Sequence, residues 1–151
     1  MTHSSPLTIA LFYCRNVPGS GEAQRQAIEV AHGRTVRLFP LPCSGRLDMV
    51  HLMRALEEFA DAAYLITCPE GTCRYFEGNT RAKKRVERTR ALIESIGLEG
   101  ERVGIVMESK ENPKPLSKLV DELKTAASAL NPSPVLQWAE KPRGRERRNS
   151  L

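Results

Sequence analysis

This sequence is poor in several things, and each shortage excludes a class of function. No apolar stretch approaches the roughly 18 residues needed to cross a bilayer, and the polar start Met1–Pro6 lacks the basic and apolar regions of a secretion signal. A cytoplasmic protein with reduced thiols is therefore expected. Aromatic residues make up only 5% of the chain and are not interleaved with the basic ones, so stacking on single-stranded nucleic acid has little support. No major-groove motif is present either. The three histidines, His3, His32 and His51, have no metal-ligand spacing, and His51 reads as a solvent-facing or partly packed helix residue. No Cys-x-x-Cys occurs, which weakens a redox dithiol. Pro18-Gly19-Ser20-Gly21 hints at an anion loop but matches no complete phosphate-binding motif. There are no internal repeats.

At 151 residues, 40% hydrophobic and 27% charged, the chain has the make-up of one ordinary globular domain. Its net charge of +5 is unevenly distributed. Lys141 to Leu151 holds five basic residues against Glu146, leaving 18 basic and 17 acidic residues in Met1–Glu140. The sequence thus divides into a nearly neutral α/β domain over residues 1–140 and a basic tail, 141–151, expected to be disordered.

Apolar runs and helical stripes alternate along the domain. Leu7–Tyr13, Val36–Leu41, Ala62–Thr67 and Arg102–Met107 read as four strands. Pro40 marks the second as a strand end or an edge. Between and after them lie four helical stripes. The first is Ala23, Ala27, Ile28 and Ala31; the second is Leu47, Val50, Met53, Leu56 and Ala60. The third is Ala82, Val86, Thr89, Ile93 and Ile96; the last, beginning near Pro115, is Leu116, Leu119, Val120, Leu123, Ala127 and Leu130. Ser20 and Ser44 are available as helix caps. Pro134–Trp138 is a candidate short edge segment, or a place where Trp138 packs on the body. The alternation predicts a single-domain, flavodoxin-like parallel sheet in the order 2-1-3-4, with helices on both faces.

Against this layout four cysteines stand out. Cys14, Cys43 and Cys68 each come where one of the first three strands ends, and Cys73 follows in the same loop as Cys68. Ligands of open α/β sheets collect outside the carboxyl ends of strands. Four thiolates are what an iron–sulfur cluster or a structural zinc requires. Zinc sites usually show two close ligand pairs, whereas here only Cys68 and Cys73 are close. The plainest alternative is that all four are small buried hydrophobes. Arg15, Arg46 and Arg74 lie within three residues of a cysteine, and amides near Ser44–Gly45 and Gly71–Thr72 are candidate donors to sulfur. Arg81, Lys83, Lys84, Arg85, Arg88 and Arg90 on the third helix form either a docking surface or simply a solvated face.

The segments Cys43-Ser44-Gly45-Arg46, CPEGTCRYFEGN (68–79) and the following RAKKRVER resemble the iron–sulfur (delta) subunit family of methyl-viologen-reducing hydrogenase. That family also occurs beside heterodisulfide reductase and formate dehydrogenase. The resemblance runs from about Leu7 to Leu130, and its signature is Cys-x4-Cys-x-Tyr-x-x-Gly-Asn, here Cys68 to Asn79. It implies a [2Fe–2S] cluster held by Cys43, Cys68 and Cys73 with Cys14 as the fourth ligand. It further implies a non-catalytic electron-transfer subunit, relaying electrons between a hydrogenase or formate dehydrogenase-type oxidoreductase and the flavoprotein subunit of heterodisulfide reductase. The alternative is a structural-zinc or metal-free interaction module within an assembly. One departure is visible: where family members commonly have Cys-x-x-Cys after the first strand, this chain has Cys14-Arg15-Asn16-Val17.

Overall fold

A computed structural model describes residues 7–42, 46–67, 78–107 and 111–139. The basic tail, 141–151, lies outside them, as does the side chain of Trp138. Strands β1 (Ile9–Cys14), β2 (Val36–Leu41), β3 (Ala62–Ile66) and β4 (Val103–Val106) form one parallel sheet in the order β2-β1-β3-β4. Helices α1 (Glu22–His32), α2 (Met49–Glu58), α3 (Gly78–Ser95) and α4 (Leu116–Ala127) follow the four strands in turn. The expected α/β fold and strand order are both present. β1 is central and all six of its residues are buried, as a strand covered on two faces requires.

Period-two alternation along β1 divides the core. Ile9, Leu11 and Tyr13 pack with Ile28 of α1 and with Leu116, Leu119, Val120 and Ala127 of α4. Ala10 and Phe12 point the other way, toward Leu52, Ala55 and Leu56 of α2 and Ala82, Val86 and Ile93 of α3. β2 is an edge, as Pro40 suggests. The Leu38 amide, which shares Pro40's parity, donates to Glu29 Oε2 at 2.8 Å instead of to another strand, and Arg37 lies 4.9 Å over the Phe59 ring. A blunted edge of this kind resists pairing with stray strands.

Several expectations about helix faces need correction. On α2 the buried residues are Leu52, Ala55 and Leu56, while Val50 is 52% exposed. Leu47 is buried but precedes the helix, so counting turns from it gives the wrong phase. On α1 only Ile28 is buried, and Ala23, Ala27 and Ala31 face solvent. α3 buries Ala82, Val86, Thr89 and Ile93 as expected, but Ile96 is 66% exposed. The helix has ended by then: Gly97 (φ +96°) lets the amide of Leu98 return to the Ile93 carbonyl at 2.9 Å, a Schellman-type stop that buries Leu98 instead. Pro134–Ala139 is a short helix, α5, packed against α2, not an edge segment. The cap of α2 is Asp48, not Ser44, and α1 begins at Gly21 without a side-chain cap.

Two buried charged residues fasten the amino ends of the strands. Asp61, just before β3, accepts the Thr8 amide on Oδ2 (2.9 Å) and the Ser133 amide on Oδ1 (2.8 Å). Arg102, 1% exposed, donates to Glu99 Oε1 (2.8 Å), to the Asp61 carbonyl (2.9 Å) and to the Asn131 carbonyl (2.7 Å). Such groups are tolerated in an interior only when hydrogen-bonded in this way. The amino edge is thereby tied by structural bonds.

Candidate metal centre

The carboxyl edge is built around the end of β1. Cys14 is the last residue of that strand and 2% exposed. Its register partner on β2 is Leu41, and Tyr13 pairs with Ile66 of β3, so the next residue on that side is Thr67. The Thr67 amide carries the ladder on to the Val106 carbonyl at 2.9 Å. Three neighbouring strands therefore finish level with one another. In sequence, Cys43 stands two residues beyond Leu41, Cys68 one residue beyond Thr67, and Cys73 five residues further. Cys43, Cys68 and Cys73, together with Ser44, Gly45, Gly71, Thr72 and Arg74, lie outside the described residues. Among those that are described, no group of three or more histidine, cysteine or acidic side chains is placed to hold a metal.

The surroundings of Cys14 are tied down by backbone bonds. Its carbonyl accepts the Val17 amide at 3.0 Å in a tight turn, and the Arg15 amide donates to the Leu41 carbonyl at 3.1 Å. The loop continues onto α4, where the Leu116 amide donates to the Pro18 carbonyl at 2.8 Å. Gly19 there has φ +67°, and an added Cβ would lie 3.3 Å from Pro115 Cβ, so a side chain would meet both strain and crowding. Val17, the position of the departure from the family pattern, is 4% exposed and belongs to the same apolar cluster as Cys14 and Leu116.

The far flank of the Cys43 segment is anchored too, by residues that sequence reasoning does not assign to it. Arg85 of α3 donates to the Leu47 carbonyl at 2.7 Å. Asp48 caps α2 by accepting the Val50 amide, while His51 Nδ1 accepts the Asp48 amide at 2.9 Å. His51 is exposed and fills the N3 position of a capping box, a place usually taken by Glu or Gln. The Asp-x-x-His spacing is the signal available for it in the sequence. His32 pairs instead with Asp121 at 3.3 Å.

Charge around the edge is mixed. Arg15 and Arg46 are exposed. Of the six basic residues on α3, Arg85 and Arg90 are committed to the backbone, Arg90 through the Val103 carbonyl at 2.9 Å. Lys83, Lys84 and Arg88 are exposed. Burial raises the Tyr13 phenol above its ordinary range, with Arg25 opposing, while Glu22 is held below its usual range chiefly by hydrogen bonding to Arg25.

Comparison with known proteins fits this layout. The family model for methyl-viologen-reducing hydrogenase, delta subunit, matches residues 9–131. The vhu iron-sulfur subunit of F420-non-reducing hydrogenase from Methanocaldococcus jannaschii is 29% identical over 131 residues, covering 86% of this chain and 96% of that protein. The corresponding subunit of Methanopyrus kandleri is 30% identical over 117 residues, 78% of this chain and 83% of that one. A further likeness, 25% over 103 residues, is to part of one subunit of the ferredoxin/F420H2-dependent CoB-CoM heterodisulfide reductase of Methanosarcina acetivorans. It covers 68% of this chain but 13% of that much longer protein. With four strands, the helix that follows each and all four cysteines inside the matched span, this chain belongs to the methyl-viologen-reducing hydrogenase delta subunit family.

Proposed function

We propose that the chain is a non-catalytic electron-transfer subunit holding a [2Fe–2S] cluster on Cys14, Cys43, Cys68 and Cys73. It would pass electrons between a hydrogenase or formate dehydrogenase-type oxidoreductase and a heterodisulfide reductase-like flavoprotein in the cytoplasm. The observation that carries this reading is the register at the carboxyl edge. Adjacent strands are spaced about 4.8 Å apart. From Leu41, opposite Cys14, two residues of chain reach about 7 Å. From Thr67 the next residue is Cys68. The four thiols thus need no long excursion to meet beside the end of β1. The donor chemistry also suits an iron–sulfur centre, since four thiolates can hold one without further ligands.

When bound, the cluster supplies one-electron exchange. The chain's own contribution is ligation, shielding and clamping. Cys14 sits at 2% exposure on a strand end whose loop is bonded to β2 and to α4, so its sulfur starts from a fixed place. Burial and nearby amide donors tune the potential of such centres. The likeness to a portion of a heterodisulfide reductase chain supports a partner of that kind, because a module found within one protein commonly works beside the same protein when separate. Residues 1–140 form the working domain in this reading, with 141–151 as a basic appendage.

The test is anaerobic purification followed by assay of iron, acid-labile sulfide and zinc, with EPR after dithionite reduction. Iron and sulfide near two each per chain, with a reduced-state signal, are expected. Cys68→Ser and Cys73→Ser should each lose or destabilise the centre; unchanged metal in both would refute the ligand assignment. Zinc without sulfide would make the chain a structural module instead.

A further inference from the structure

Next to the β1 loop, on the α1 face, lies a cavity of about 380 Å³ bounded by Tyr13, Arg15, Ser20, Gly21, Glu22 and Pro40. Tyr13 is 1% exposed, yet its hydroxyl has no hydrogen-bond partner among the described residues. A buried hydroxyl left unmatched costs free energy unless something outside the chain satisfies it. α1 is 11 residues long, and its N-cap, Gly21, supplies no side-chain acceptor. The amides of Glu22, Ala23 and Gln24 are therefore orphan donors at the positive end of the helix dipole. Arg15 adds a guanidinium that makes no ion pair among the described residues. The one carboxylate on the rim, Glu22, is engaged by Arg25, which also pairs with Glu29, so the lining is near neutral and its hydrogen-bond donors carry the recognition.

We propose that this cavity is a binding site for a phosphate monoester. The Tyr13 hydroxyl, the Arg15 guanidinium and the opening amides of α1 receive the phosphate oxygens, and the organic portion fills the remaining volume. The Arg15 guanidinium and the α1 amides can only donate and the Tyr13 hydroxyl can donate, which favours an anion over a metal ion. Helix starts with bare amides suit phosphate in particular. The volume lies within the range of small-molecule sites and exceeds what a lone inorganic anion would fill. The site does not depend on the thiols, so it stands or falls separately from the metal centre.

The experiment uses the full chain purified anaerobically in phosphate-free buffer at constant ionic strength. Calorimetry and 31P NMR follow titrations with inorganic phosphate and with glycerol phosphate. Saturable binding is expected, tighter for the ester. Tyr13→Phe, which keeps the ring, should weaken it about tenfold, and Arg15→Gln by tenfold or more, as loss of hydrogen bonds to a charged group implies. A melting curve on each variant checks that the fold survives. No saturable binding up to about 10 mM, or binding that both substitutions leave intact, would overturn the site. Inorganic phosphate bound as tightly as the ester would overturn the ligand class.

Discussion

Replacing Asp61 by asparagine should loosen the amino edge of the sheet and leave the carboxyl edge intact. The Asp61 carboxylate accepts two backbone amides, from Thr8 at 2.9 Å and Ser133 at 2.8 Å. Asparagine keeps one oxygen and turns an NH2 group toward the other amide, so one acceptor disappears and the remaining bond is no longer charge-assisted. Hydrogen bonds to charged groups are worth about 1.5–3 kcal/mol, and a buried donor left unmatched costs about 1–3 kcal/mol. A loss of about 2–4 kcal/mol follows, because the Thr8 amide is only partly buried while the Ser133 amide is buried. For a domain near 150 residues each kcal/mol lowers Tm by about 2–4 °C, giving a fall of about 5–15 °C. Thermal unfolding by circular dichroism measures this, and iron and sulfide are assayed on the same protein below its transition. A Tm within about 2 °C of the parent would refute the claim that Asp61 closes this edge. Metal lost while the fold remains intact would refute the separation of a structural edge from a functional one.

Other substitutions probe the surroundings of the proposed metal centre. His51→Ala removes one arm of the α2 capping box; a cost of about 1 kcal/mol should appear as a small drop in Tm. Val17→Cys adds a thiol in the cluster shared with Cys14. If the four named cysteines are the ligands, iron content and EPR spectrum should not change, and an altered spectrum would show that position 17 reaches the metal. Glu99 is held below its usual pKa range, first by its own backbone amide and then by Arg102. Its stabilising contribution is therefore present above the unfolded carboxylate value and lost as pH falls through the lower folded one. Glu99→Gln should flatten the acid side of the stability profile below about pH 4.5, and an unchanged slope would show that the Glu99–Arg102 pair does not contribute.

The sheet is legible in the sequence because its signals are local. Four apolar runs alternating with helical stripes, under the right-handed crossover rule, leave few arrangements, and the order β2-β1-β3-β4 is the one observed. Pro40 announces an edge because a proline cannot donate to a neighbouring strand. Helix faces are harder to read. The phase of α2 depends on where the helix starts, and Leu47, apolar and buried yet outside it, misdirects the count. Ile96 looks like a continuation of α3 because the turn at Gly97 follows it by one residue.

By itself, then, the sequence determined the fold class, the strand order and the placing of cysteines at or just beyond three strand ends, since these follow from periodicity and spacing along the chain. Tertiary structure alone decided which polar groups are satisfied by distant partners. Asp61 bonds to Thr8 and to Ser133, 72 residues away; Arg85 reaches back to Leu47; and Arg102 joins Asp61 to Asn131. It also decided that the Tyr13 hydroxyl, beside the bare start of α1, has no partner among the described residues. Pairings of that range leave no periodic trace, because each depends on where crossovers return the chain in space rather than on the residues beside it.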